Sequence, residues 1–133
     1  ATLRGLEKAA VKIPNIKNAI RNMSGGQRQC VAIARTATFH SKLTIMDEPT
    51  AALGVQETAQ VENIIRTLKE NGEPLVLISH NMRQVFELVD RIIVLRRGRI
   101  VANLNKEETD GQDVVAYITG AKTDPAYEVE RDG

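Results

Sequence analysis

The sequence is poor in most of the features that announce a function. Its 133 residues include one cysteine, Cys30, and no tryptophan, and the aromatics are two phenylalanines and two tyrosines. A single cysteine excludes an intrachain disulfide and suits a reducing compartment. With no C-x-x-C or H-x-x-x-H spacing anywhere, Cys30 and His40 do not make a zinc site. So few aromatics leave little to stack on exposed bases. Eighteen Lys and Arg against seventeen Asp and Glu give a net charge of +1, with no bulk basicity to favour nucleic acid or a membrane surface. The longest apolar runs, Leu75 to Ile78 and Ile92 to Leu95, are far too short to span a bilayer. No basic start leads into an apolar stretch and a small-residue cleavage site, so nothing supports secretion. Repeats, low-complexity tracts and a Gly-x-Ser-x-Gly nucleophile elbow are all missing from the sequence. At 42% hydrophobic and 26% charged, the chain suits one cytosolic α/β domain.

Periodicity then places the elements. Leu3, Leu6, Ala10 and Ile13 recur near helical spacing until Pro14, and a polar link runs from Asn15 to Asn22. Ser24 has the form of an N-cap before an apolar-rich helix, roughly Gln27 to Thr38. Leu43 to Met46 reads as a buried strand running into Asp47-Glu48-Pro49. Val61, Ile64, Ile65 and Leu68 mark a helix from about Val55 to Asn71 that stops at Gly72. A second buried strand, Leu75 to Ser79, precedes a helix carrying Met82, Val85, Phe86 and Val89. Arg91 to Arg96 is a third strand, turning at Arg97-Gly98 into a hairpin partner, Arg99 to Asn103. A last short helix carries Val114, Val115 and Ile118, and the polar residues beyond Gly120 are expected to be a mobile tail. Strands alternating with helices imply a mostly parallel sheet, whose ligands gather at the carboxyl ends of the strands.

Three motifs fall at such ends or at a helix start. Met23-Ser24-Gly25-Gly26-Gln27-Arg28-Gln29 opens a helix with two glycines, where free amides and the helix dipole favour an anion. The same pattern suits an ordinary capped helix. Leu43-Thr44-Ile45-Met46-Asp47-Glu48 sets two carboxylates at a strand tip, one able to serve magnesium through water and the other to reach an attacking water. A solvated acidic turn would look similar. Leu75-Val76-Leu77-Ile78-Ser79-His80 puts an imidazole at a strand mouth, where it can meet a phosphate or serve a structural hydrogen bond. Arg96, Arg97 and Arg99 read as solvated surface.

In this order, M-S-G-G-Q-R-Q, T-I-M-D-E-P-T-A-A-L and L-I-S-H-N, the chain resembles the nucleotide-binding subunit of ATP-binding cassette (ABC) transporters. The ATPases of bacterial monosaccharide importers, the ribose and fructose kind, look most similar. The resemblance implies a partial P-loop NTPase (RecA-like) α/β fold, a parallel sheet with flanking helices lacking the Walker A strand. Residues 1–120 would be the C-terminal part of the domain. It implies ATP and Mg2+ as ligands, with Ser24, Gly25, Gly26 and Gln27 as the signature contacting ATP on the opposite subunit. Asp47 would be the Walker B aspartate serving magnesium, Glu48 the catalytic glutamate and His80 the switch histidine. Ala51, Ala52, Leu53 and Gly54 would form the loop touching the partner. Implied partners are a second cassette subunit and transmembrane permease subunits, not nucleic acid. The implied location is cytoplasmic, peripheral at the inner face of the plasma membrane.

Two departures stand out: Gly54 where the family's loop usually ends in Asp, and Met23 where leucine usually precedes the signature serine. The chain also has no Gly-Lys dipeptide, hence no G-x-x-x-x-G-K-[ST] loop to grip β- and γ-phosphates. In the related folds that loop's strand lies between Leu75–Ser79 and Arg91–Arg96. The chain is therefore expected to be inactive alone, and not to be a normally stable monomer with a native-like site. Two functions remain open: an ATPase part driving sugar uptake, and a silent remnant that pairs with an intact cassette subunit. A non-transport cassette ATPase ranks lower, because no heptad coiled coil or basic stripe is present.

Overall fold

The computed structural model describes residues 23–36 and 42–128. The helix expected over Leu3 to Ile13, its stop at Pro14, the link 15–22, residues 37–41 and the tail beyond 128 lie outside these residues. The chain divides into two compact units at Asn81/Met82.

In the first unit, helix α1 (Gly25–Thr36) buries Cys30, Ile33 and Ala34, an i, i+3, i+4 stripe. It packs against helix α2 (Val55–Glu70), where Val61, Ile64, Ile65 and Leu68 are all buried at the spacing read from sequence. Asn71 and Gly72 (φ 76) end α2 where a left-handed glycine was expected. Strands β1 (Thr44–Asp47) and β2 (Leu75–Ile78) pair in parallel across the α2 crossover, Ile45 beside Val76 and Asp47 beside Ile78. Main-chain bonds extend the ladder at both ends, from Thr44 N–H to Pro74 O (3.0 Å) and from Glu48 N–H to Ile78 O (2.8 Å).

These strands are not buried on both faces as expected. Thr44 and Met46 are covered, but Ile45, Val76 and Ile78 on the opposite face are 64%, 44% and 48% exposed. An apolar run shows that a strand can be buried; it does not say that both faces are covered.

The second unit begins with helix α3 (Met82–Leu88), followed by the hairpin β3 (Arg91–Arg96) and β4 (Arg99–Asn105). Arg97 (φ 51) and Gly98 (φ 76) both take the left-handed conformation of a tight hairpin turn, whose twist matches the flanking strands. Val94 faces Ala102 whereas Leu95 faces Ile100, so Val101 is the extra residue of a bulge. Helix α4 (Gly111–Thr119) lies against the hairpin, and Val85, Ile92, Val94, Ala102, Val114 and Tyr117 form one core. Val115 and Ile118, expected on the helix as apolar residues, are 46% and 44% exposed, while Tyr117 takes the buried position. Ile93, Leu95 and Ile100 leave the hairpin with exposed apolar residues too.

Arg96 is not simple solvated surface: its guanidinium lies where a Cβ on Gly120 (φ 84) would stand. Lys122 Nζ pairs with Asp113 Oδ1 at 2.6 Å and sits 5.1 Å from the Tyr117 ring centroid, and a 3-10 turn follows at Pro125–Tyr127.

The α/β class and a parallel strand pair are as expected. The strands, however, form two separate two-stranded sheets rather than one mostly parallel sheet, because no described strand joins β2 to β3.

Two measurements check this packing. In urea unfolding, Ile64→Ala is expected to lower stability by about 2–5 kcal/mol through cavity formation, while Ile45→Ala on the bare face changes it by less than about 0.5 kcal/mol. The Lys122 ammonium and the Thr109 hydroxyl hold the Asp113 carboxyl below its ordinary range. Its contribution is therefore complete above the unfolded aspartate's pKa and is lost as pH falls through the lower, folded value. An NMR pH titration is expected to show the 121–128 resonances following Asp113 in that acidic window, with the response abolished in Lys122→Ala.

Candidate active site

The glycine-rich helix start is a reciprocal cap. Gln27 N–H donates to Ser24 Oγ (3.1 Å), and Ser24 N–H donates to Gln27 Oε1 (3.0 Å). Of the amides that a helix start leaves without intrahelical partners, this cap uses those of Ser24 and Gln27 and leaves those of Gly25 and Gly26. They lie at the positive end of α1, beside a serine whose own proton remains available to donate. Helix α1 thus begins at Gly25, two residues earlier than expected, and the capped-helix and anion-cradle readings describe the same atoms.

The strand tips carry the acid and the imidazole. Asp47 ends β1 on the bare face with Ile45 and is exposed. Glu48 leaves the strand with φ 47, a conformation that costs a non-glycine residue about 1–2 kcal/mol and breaks the alternation of side chains. The result is a close pair: Glu48 Oε1 lies 2.8 Å from His80 Nδ1 and accepts the His80 main-chain N–H at 3.1 Å. Both residues leave the carboxyl ends of adjacent parallel strands, so the β1–β2 register brings together groups 32 positions apart. The His80 side chain is 81% exposed, which leaves its Nε2 edge open. With Nδ1–H donated to an ionised Glu48, Nε2 carries the ring's lone pair. It donates to an anion only when the ring holds both protons.

Between these motifs, Ala51, Ala52 and Gly54 are exposed and Leu53 is half-buried. This loop is tied to α1, with Gln29 Nε2 donating to Pro49 O at 3.5 Å. One residue that sequence reading missed stands at the junction. Glu57 fills the space into which a Cβ on Gly26 or on Gly54 would project: its Cγ lies 2.6 Å from the first such position and its Oε2 lies 2.7 Å from the second. No motif flags it, since a glutamate in the first turn of a helix is commonplace. Nearby, Cys30 Sγ is 3.5 Å from Gln60 Oε1; burial and, secondarily, the Glu57 charge push its thiol pKa up, so Cys30 is a core residue rather than a nucleophile.

Among the described residues no group of three or more His, Cys, Asp or Glu could hold a metal by itself. That donor set still fits magnesium, which is bound through one or two carboxylates with waters and substrate phosphates completing the shell. Asp47, exposed at the strand tip, is such a carboxylate. No described helix is long and apolar enough to cross a membrane.

Known proteins resemble the chain in sequence and in fold. The family model for the ABC transporter matches residues 2–51. The fructose import ATP-binding protein FrcA of Rhizobium meliloti is 50% identical over 119 residues, covering 90% of this chain and 46% of its own length. The xylose/arabinose import ATP-binding protein XylG of Sulfolobus acidocaldarius is 44% identical over 114 residues, covering 86% of this chain and 45% of its own. Among solved structures, a dimeric bacterial ABC transporter cassette superposes with a TM-score of 0.65 at 26% identity, over 79% of this chain and 45% of that one. A post-hydrolysis dimeric cassette bound to ADP and Pi gives 0.65 at 27%, over 78% and 45%. This chain spans about half the length of these relatives. It belongs to the ATP-binding cassette family, as part of an ABC transporter ATP-binding domain.

Proposed function

We propose that this chain supplies the signature, acidic strand tip and switch histidine of an ATP-hydrolysing subunit that powers monosaccharide uptake. Residues 1–120 form the C-terminal part of its nucleotide-binding domain. The observation that carries the reading is the Glu48–His80 pair at the ends of two parallel strands, 2.8 Å apart. The sugar assignment rests on relatives named for fructose and xylose/arabinose import.

Each residue then has a defined task. Glu48 accepts hydrogen bonds and is the one carboxylate here already positioned by a neighbour, so it orients the attacking water and takes up its proton. His80 holds Glu48 through Nδ1 and presents Nε2 to the terminal phosphate. Asp47 would hold Mg2+ through water, and bound magnesium neutralises charge developing on the phosphates. Ser24 and the amides of Gly25 and Gly26, with Gln27 fixing their geometry, face the nucleotide of a second cassette subunit, where oriented donors stabilise the transferring phosphoryl group. Ala51, Ala52, Leu53 and Gly54 meet that same partner.

The sequence has no G-x-x-x-x-G-K-[ST] loop to grip the β- and γ-phosphates in cis, so such a loop would come from another segment. Permease subunits would complete the transporter, with the ATPase held at the cytoplasmic face of the membrane. The silent-remnant reading is favoured only by Gly54, which lacks the carboxylate usual at that place.

Joined to a phosphate-loop half, the chain is expected to hydrolyse MgATP. Glu48→Gln should lower turnover by about 10²-fold or more while nucleotide binding persists. The 133-residue chain alone is expected to show no turnover. Magnesium-dependent hydrolysis by the isolated chain that Glu48→Gln abolishes would overturn the proposal, because the fragment would then be self-sufficient.

A further inference from the structure

We propose that Glu57 is a positioning residue that clamps the Ser24–Gln27 turn to the Ala51–Gly54 loop and presents, at Gly54, a carboxylate that the loop itself lacks. A Cβ built on Gly26 would lie 2.6 Å from Glu57 Cγ, 3.2 Å from its Cβ and 3.4 Å from its Cδ. A Cβ built on Gly54 would lie 2.7 Å from Glu57 Oε2. One side chain therefore occupies the side-chain space of both glycines, its stem on the helix start and its carboxylate on the loop. The absence of a side chain at position 54 has a physical reason: another residue's carboxylate is already there.

The placement has a local cause. Gly54 is the N-cap of α2 and offers no side-chain cap, while Glu57 is the third residue of the helix. A glutamate at that position reaches back toward the cap and is favoured by the helix dipole. Helix capping alone would not carry its stem onto Gly26, which belongs to a different helix. The clamp is reinforced by two further ties from α1 to the same stretch: Gln29 Nε2 to Pro49 O at 3.5 Å, and Cys30 Sγ to Glu57 O at 4.0 Å. The helix start that would hold one phosphate and the loop that would meet the partner are thus fastened into one body. A shift in either is passed to the other through the Glu57 side chain.

The consequence for pairing rests on the proposed function, so the test separates the two. Association of the chain, joined to a phosphate-loop half, with an intact cassette subunit is followed by sedimentation with and without ATP, alongside urea unfolding of the same joined chain. Wild type is expected to associate in an ATP-dependent manner. Glu57→Gln retains the shape and the capping ability but loses the charge; it should unfold like wild type yet associate about tenfold more weakly. Gly54→Asp alone should also weaken association, since its Cβ meets the Glu57 carboxylate and two like charges adjoin. Glu57→Ala combined with Gly54→Asp should return association to within about threefold of wild type, because the carboxylate is restored where room has been vacated.

Equal association of Glu57→Gln and wild type, or no recovery in the double variant, would overturn the carboxylate role. If wild type shows no ATP-dependent association, the proposed function fails and that role with it. The clamp then stands or falls on unfolding alone. Gly26→Ala must destabilise the wild-type chain more than the Glu57→Ala chain, and equal effects in both backgrounds would refute it.

Discussion

The site depends on one hydrogen-bonded pair. Glu48 Oε1 accepts from the His80 main-chain N–H and lies 2.8 Å from the ring nitrogen Nδ1, so a single carboxylate oxygen joins the tips of β1 and β2. Two features of the fold make this possible. The parallel register sets Asp47 beside Ile78, bringing the following residues of both strands to one end of the sheet. The left-handed turn at Glu48 then takes its side chain out of the strand's alternation, away from the face on which Asp47 remains. Backbone strain of about 1–2 kcal/mol at a non-glycine residue persists where surrounding structure enforces it. Here the enforcing contacts are the Glu48 N–H bond to Ile78 O at 2.8 Å and the two His80 contacts. Asp47 and Glu48 thus sit next to each other in sequence yet diverge in space.

The two sheets share an asymmetry. Each is covered on one face and leaves large apolar residues open on the other: Ile45, Val76 and Ile78 in the parallel pair, and Ile93, Leu95 and Ile100 in the hairpin. Burying side chains of this size stabilises a fold by about 1.5–3 kcal/mol each, a driving force that the chain leaves unused. The chain spans about half of its relatives' length, and its sequence holds the strand tips but no phosphate-loop motif.

How far the sequence disclosed this is clear from particular residues. The i, i+3, i+4 stripe of α2 and its glycine stop were readable because helix periodicity and left-handed caps are local properties. The hairpin was readable because Arg97-Gly98 can adopt the required positive φ angles. Its bulge at Val101 and its last two residues, Leu104 and Asn105, were not, since a bulge shifts the register without changing composition. The one-sided burial of β1 and β2 was hidden for a different reason: it depends on what lies across the sheet, and a four-residue apolar strand reads the same either way. At the site, the motif residues were all legible as types. That Glu48 bonds His80 was not, because it follows from strand register over 32 positions. Glu57 was invisible, since its importance lies in the empty space above two glycines.

The central claim is that the Glu48–His80 pair is arranged to meet the outermost phosphate of a nucleotide held by another segment. Nitrogen NMR of the His80 ring, in the chain joined to a phosphate-loop half and carrying Glu48→Gln to prevent turnover, tests it most directly. A triphosphate with magnesium is expected to shift the Nε2 resonance, as direct contact with the terminal phosphate would, while a diphosphate leaves it in place. A ring that responds equally to both, or to neither, would contradict it.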